Sequence, residues 1–168
     1  MKRFLAMFAM FYCLTALSAN AQRGTSLGIG FDFAFPQDNF GNGAELGVGP
    51  SLLFQSPLQQ NLNFTVNIGY LRFNGDSPFA NIKYREGFIP IKAGLRYFIS
   101  EAIYGSGEAG LSISTADGSG SGVSFLYAPT VGAQIPAGNG AIDLGIRYEG
   151  WVKSGTRSLV GLRVGYNF

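Results

Sequence analysis

The chain has 168 residues, with 12 Lys and Arg, 10 Asp and Glu, no His and one Cys. Charged residues make up 13%, about half the roughly 25% of an average soluble domain, while Gly contributes 25 residues and aromatic side chains 14%. That balance is too apolar for a disordered chain and too cysteine-poor for a disulfide miniprotein, and the lack of His excludes every Ser-His, Cys-His or His-metal site.

The first segment reads as an address. Lys2 and Arg3 precede an uncharged apolar run from Phe4 to Leu17, and Ala19-Asn20-Ala21 supplies a small-residue cleavage site before Gln22. This is the pattern of a cleaved secretory signal peptide over 1–21, and its core is too short for a spanning helix. Cys13 lies inside the apolar run, away from the cleavage point, which argues against lipidation. Subtracting 21 residues from 168 leaves a mature chain of 147 residues, 22–168, with ten basic and ten acidic groups and no cysteine. No basic face remains to argue for nucleic acid.

From there on, short segments alternate between apolar and polar residues with period two, separated by Gly, Asn, Ser, Asp and Pro clusters. Eight strands are expected, at 25–36, 43–55, 62–73, 87–99, 102–115, 123–135, 141–152 and 158–168. One face of every strand is apolar: Leu27, Ile29, Phe31, Phe33 and Phe35 in the first, Ile142, Leu144, Ile146 and Tyr148 in the seventh. The opposite face carries Asp32, Glu45, Lys92, Arg96, Glu108, Asp143, Arg147, Glu149 and Arg163 among small polar residues. A soluble barrel keeps its charges outside. Here the charges fit the interior, and the apolar outer surface is one that aggregates in water but suits a bilayer. The expected fold is therefore all-β: an eight-stranded antiparallel up-and-down transmembrane β-barrel whose closure leaves no sheet edge exposed to lipid.

Two further patterns agree. Each strand carries a mid-strand Gly on its inward face, at 30, 49, 69, 94, 110, 132, 145 and 165, as a crowded eight-stranded lumen requires. Aromatic residues gather at the strand ends like interfacial girdles. Phe54, Phe64, Tyr97, Tyr166 and Phe168 fall at one rim, and Phe33, Phe35, Tyr70, Phe125, Tyr127 and Tyr148 at the other.

With its leader, the strand Phe88-Ile-Pro-Ile-Lys-Ala-Gly-Leu-Arg-Tyr-Phe98 and the terminal Val164-Gly-Tyr-Asn-Phe168, the chain resembles small eight-stranded outer-membrane barrels. The resemblance is to the OmpA-type transmembrane domain and to the Bacteroidetes outer-membrane β-barrel family. It implies an outer-membrane location, contact with outer-membrane lipid and lipopolysaccharide, and handling by the outer-membrane assembly machinery. Tyr166 and Phe168 match the aromatic positions of the C-terminal assembly signal, although Arg163 stands where many such signals carry Gly. No peptidoglycan-binding domain is expected after the last strand. The outer connections are expected to be short, at 37–42, 74–86, 116–122 and 153–157, with chemistry concentrated in Asp76, Lys83, Arg85 and Glu86 of the second.

Apparent ligand motifs carry little. Gly105-Ser-Gly107-Glu-Ala-Gly110 matches a dinucleotide fingerprint, but alternation runs through it with no helix pattern behind. Gly118 to Gly122 reads as a hairpin tip, and Asp117 alone is too few carboxylates for a Ca²⁺ loop. No cofactor and no metal are expected. The barrel enzymes implied by the resemblance use a His that this chain lacks, so no enzymatic activity is expected. Two functions remain: a structural or interaction role, in envelope integrity or within a larger assembly with other envelope proteins, with the lumen plugged by charged and polar side chains; or a narrow porin-like channel for ions or small solutes.

Overall fold

A computed structural model describes residues 24–37, 44–76, 83–115, 122–153 and 155–168. The proposed leader and the hairpin tip at Asp117 lie outside the described residues. The chain forms β1 (Ser26–Gln37), β2 (Leu46–Gln59), β3 (Leu62–Gly69), β4 (Leu71–Asp76), β5 (Lys83–Phe98), β6 (Ile103–Ser114), β7 (Gly122–Ala137), β8 (Gly140–Val152) and β9 (Thr156–Asn167). Each pairs antiparallel with its neighbour, and β1 pairs with both β2 and β9, so the sheet closes on itself.

Nine segments make eight staves. The pairings of β3 and β4 with β2 and β5 keep one register, with Leu52↔Ile68 continuing as Val48↔Arg72 and Ile68↔Ile91 as Leu71↔Phe88. The ladder lapses around Tyr70, where Pro50 opposite Tyr70 and Pro90 opposite Gly69 lack the N–H that would bond across. Tyr70 still donates its own N–H to Pro50 O at 3.0 Å. Strand ends otherwise fall close to the expected ones. The exception is the second outer connection, expected over 74–86, where β4 and β5 pair out to Asp76↔Lys83 and replace most of it with sheet.

Following partners once round the barrel from Leu27 leads through Phe54, Val66, Ala93, Ala109, Tyr127, Gly150 and Ser158 to Gln37. The walk returns to β1 ten residues further on, so the shear is ten. With eight strands, a shear of this size tilts them by about 40° from the axis and leaves an interior that side chains fill.

Three tight connections join strands at the end that holds the chain termini. At one of them Gly138 sits in the left-handed region, at φ 62°, between the paired Ala137 and Gly140. The faces divide as the alternation requires. Ile29, Phe31, Leu52, Ile68, Leu95, Leu111, Val131, Ile146 and Val164 are exposed on the outside. Lys92, Arg96, Asp143, Arg147 and Glu149 are buried within.

Candidate functional site in the barrel lumen

The shear decides which inward side chains meet. Lys92 on β5 and Glu149 on β8 are far apart in sequence, yet Lys92 Nζ donates to Glu149 Oε1 at 2.7 Å and lies 3.8 Å from Glu108 Oε2. Arg147 Nε donates to the same Glu149 oxygen at 2.5 Å, and Arg147 Nη1 to Asp32 Oδ1 at 2.7 Å. Arg163 Nη1 lies 3.8 Å from Asp32 Oδ2 and donates to Ser51 Oγ. Nearer the termini, Arg96 Nη1 donates to Asp143 Oδ2 at 3.0 Å and to Gln55 Oε1 at 3.1 Å. Tyr104 donates its hydroxyl to Asp143 Oδ1 at 2.6 Å, while the Arg96 guanidinium lies 3.8 Å from the Tyr104 ring centroid, a cation–π stack.

Eight of the nine inward charges expected from sequence are thus buried in the lumen, six of them linked through Glu149, Arg147 and Asp32 and two in the adjoining Arg96–Asp143 pair. Glu45 does not join them. It precedes β2 at the loop end and is exposed there: its N–H still donates to Asn74 O at 3.0 Å, but the buried Ala44 before it takes the interior position and the alternation breaks. Its departure leaves Lys92, Arg96, Arg147 and Arg163 against Asp32, Glu108, Asp143 and Glu149, a neutral set. That balance matters in a low-dielectric interior, where an uncompensated ion costs several kcal/mol.

Glycines seat the large side chains. A Cβ on Gly30 would lie 2.8 Å from the Arg163 guanidinium carbon, one on Gly161 would lie 2.9 Å from Arg147 Nε, and one on Gly132 would lie 2.4 Å from both Cζ and the hydroxyl oxygen of Tyr104. Gly132→Ala is expected to cost about 1–3 kcal/mol, because the Tyr104 ring and the Leu144 carbonyl crowd the same point. Gly105→Ala should stay within about 0.5 kcal/mol of the parent, since nothing lies within 4 Å of its Cβ position. Urea unfolding in lipid vesicles compares the two. Gly105 and Gly107 are open on the outer face, whereas Gly150 is covered by the Tyr127 ring of its cross-strand partner.

The interior is not polar throughout. At the loop end, inward-facing Leu71, Phe73, Phe88, Leu126, Trp151 and Leu159 form an apolar layer with Ala34, Ala44 and Ala128. Phe88 and Trp151 ring centroids are 4.7 Å apart, Phe73 and Phe88 5.7 Å, and Phe73 and Trp151 6.0 Å. Trp151 Nε1 donates to Glu149 Oε2 at 3.0 Å and ties the layer to the network below. A lumen filled by charged and polar side chains alone is therefore corrected to a two-layer plug. The layer was readable, since Phe73, Phe88, Leu126 and Trp151 all share the inward parity of charged or small neighbours. Tyr104, Gln55 and Ser51 were readable in the same way.

Within the network lies one cavity of about 20 Å³, enough for a single small species. The dinucleotide-like Gly105 to Gly110 run lies wholly within β6, with no helix after it among the described residues. Among the described residues no cluster of Asp, Glu, His or Cys has the makings of a metal site.

On the outer face, Phe54, Tyr97, Phe35, Tyr70, Phe125 and Tyr148 are exposed, and Phe33, Phe64 and Tyr127 partly so. Phe54 pairs with Leu27 near the termini, while Phe35 and Tyr148 both pair with Val160 near the loops. Tyr166 packs edge-on against Phe168 at 4.9 Å and donates its hydroxyl to Ala137 O at 2.8 Å.

Among solved structures, Neisserial surface protein A aligns with 17% identity over 86% of this chain and 94% of its own, at a TM-score of 0.63. The chain has the fold of a small outer-membrane β-barrel. Ail of Yersinia pestis, in a phospholipid bilayer nanodisc, aligns at 20% identity over 86% and 99%, with a TM-score of 0.56. The N-terminal β-barrel domain of Pseudomonas aeruginosa OprF aligns at 14% over 88% and 100%, with a TM-score of 0.57. No protein-family model and no curated protein sequence matches the chain.

Proposed function

We propose that the protein is an integral outer-membrane barrel with a structural or interaction role, its lumen closed by paired charges and an aromatic layer. One observation carries this reading: the polarity of the barrel is inverted relative to a water-soluble one. Its outside is apolar and its inside holds a neutral set of buried ions. A bilayer is the solvent that rewards both arrangements. Export through a cleaved leader over 1–21 and residence in a Gram-negative outer membrane complete the proposal.

The sequence likeness to Bacteroidetes barrels, through 88–98 and 164–168, suggests the group from which such a protein comes. Tyr166 and Phe168, paired at the termini end, are the residues offered to the assembly machinery. Outer-membrane lipid and lipopolysaccharide would meet the outer face, and other envelope proteins are candidate partners. No enzymatic role is proposed, because the inward carboxylates are engaged by cations.

A narrow channel is the second reading, favoured by the cavity among Lys92, Arg96 and Arg147. Any such path must also cross the Phe73, Phe88 and Trp151 layer. The refolded barrel is therefore expected to stay silent in planar bilayers. Stable unitary openings that change when Arg96 or Arg147 becomes Ala would overturn the structural reading in favour of the channel.

A further inference from the structure

The cavity in the lumen differs in charge from the barrel around it. Lys92, Arg96, Arg147 and Arg163 all line it, but only one carboxylate, Glu108, does. Asp32, Asp143 and Glu149 lie off it, taken up by Arg147, Arg96, Lys92, Tyr104 and Trp151 on other sides. The neutrality of the whole network therefore hides a local excess of positive charge.

Donors are also in excess. Arg163 spends Nη1 on Ser51, while its Nε and Nη2 are buried with no hydrogen-bond partner. Arg96 commits Nη1 to Asp143 and Gln55, and its Nε has no partner. Both residues are more than nine-tenths buried, at 6% and 3% exposed. A guanidinium only donates, and leaving its N–H groups unmatched in a buried site is costly. One anion accepts from several such groups at once. A cavity of about 20 Å³ has room for one small species.

We propose that this cavity binds one small monovalent inorganic anion of chloride size, held between Arg163 and Arg96 and opposed by Glu108. The inference goes beyond the structural role proposed above. A lumen that neither conducts nor binds a halide would leave that role standing and refute this site.

Bromide is the probe. Crystals of the detergent-solubilised barrel grown in sodium bromide should show one anomalous peak inside the lumen beside Arg163. Urea unfolding in sodium bromide, compared with sodium gluconate at equal ionic strength, should show a saturable stabilisation. Glu108→Gln keeps the shape of the side chain and its acceptor for Thr65 while removing the opposing charge. It should tighten the halide response about tenfold, and Arg163→Gln should abolish it. Because Glu108→Gln predicts a gain, poor folding of the Arg163 variant does not shield the proposal. It is overturned by equal stability in bromide and gluconate with no internal peak, which marks a water site. It is equally overturned by a peak whose halide response ignores Glu108→Gln, which marks an adventitious ion only.

Discussion

Replacing Glu149 by Ala is expected to lower the unfolding free energy by about 3–5 kcal/mol, the largest loss from any single site in the lumen. Glu149 is fully buried and accepts from three donors on two strands: Lys92 Nζ and Arg147 Nε at one oxygen, Trp151 Nε1 at the other. Truncation leaves two cations short of their counter-charge and an indole N–H without its acceptor. It also tips the neutral set to a net positive charge. Asp32 still holds Arg147, so the damage falls mainly on Lys92, whose other carboxylate is 3.8 Å away. Glu149→Gln should cost clearly less, because an amide oxygen still accepts one bond. Trp151 is the only Trp in the chain and is 2% exposed, so its fluorescence follows urea unfolding directly. Equal stability of Glu149→Ala and the parent would mean that the network contributes nothing to the fold.

On the opposite face, Ile146→Arg is expected to cost about 2–4 kcal/mol when the barrel is folded into a bilayer. Ile146 is 61% exposed between Val131 and Leu162, with no charged group beside it on the outer surface. In a water-soluble barrel the same substitution would be nearly free. Val152→Arg, at the loop end of the same strand, should cost no more than about 1 kcal/mol, because an Arg there reaches the interface. Refolding into vesicles, followed by the heat-modifiable migration of the folded band, measures both. A gradient between the two sites reports membrane depth. No gradient would place the outer face in some other environment.

The eight staves were legible because period-two alternation sorts each strand without reference to its neighbours. Phe31 and Asp32 point apart whatever β9 does. The charged lumen was legible for the same reason. Partners were not, since the meeting of Lys92 with Glu149 depends on a shear of ten accumulated over every pairing in the barrel. A single-residue slip anywhere would have changed the network. Glu45 shows a limit of parity at a strand end: it has the inward phase, but the alternation breaks there and Ala44 is buried in its place. The aromatic layer shows a different limit. Phe73, Phe88 and Trp151 carry the inward phase, but counting charges along that face passes over them, since nothing in a single strand tells that three rings from β4, β5 and β8 converge. Tyr104 shows why the glycines recur: its hydroxyl end lies only 2.4 Å from where a Cβ of Gly132 would be.

The central claim is that apolar residues face lipid and charged residues face inward, and the lone Trp makes it directly measurable. In vesicles of acyl-chain-brominated lipid, Trp151 should be at most weakly quenched while emitting from an apolar setting, because it packs between Phe73 and Phe88 inside the barrel. In a Trp151→Phe background, Leu111→Trp should be strongly quenched, since Leu111 is 49% exposed on the outer face. Strong quenching of Trp151 together with protection of the Trp placed at 111 would reverse the inside and outside of the barrel and contradict the account.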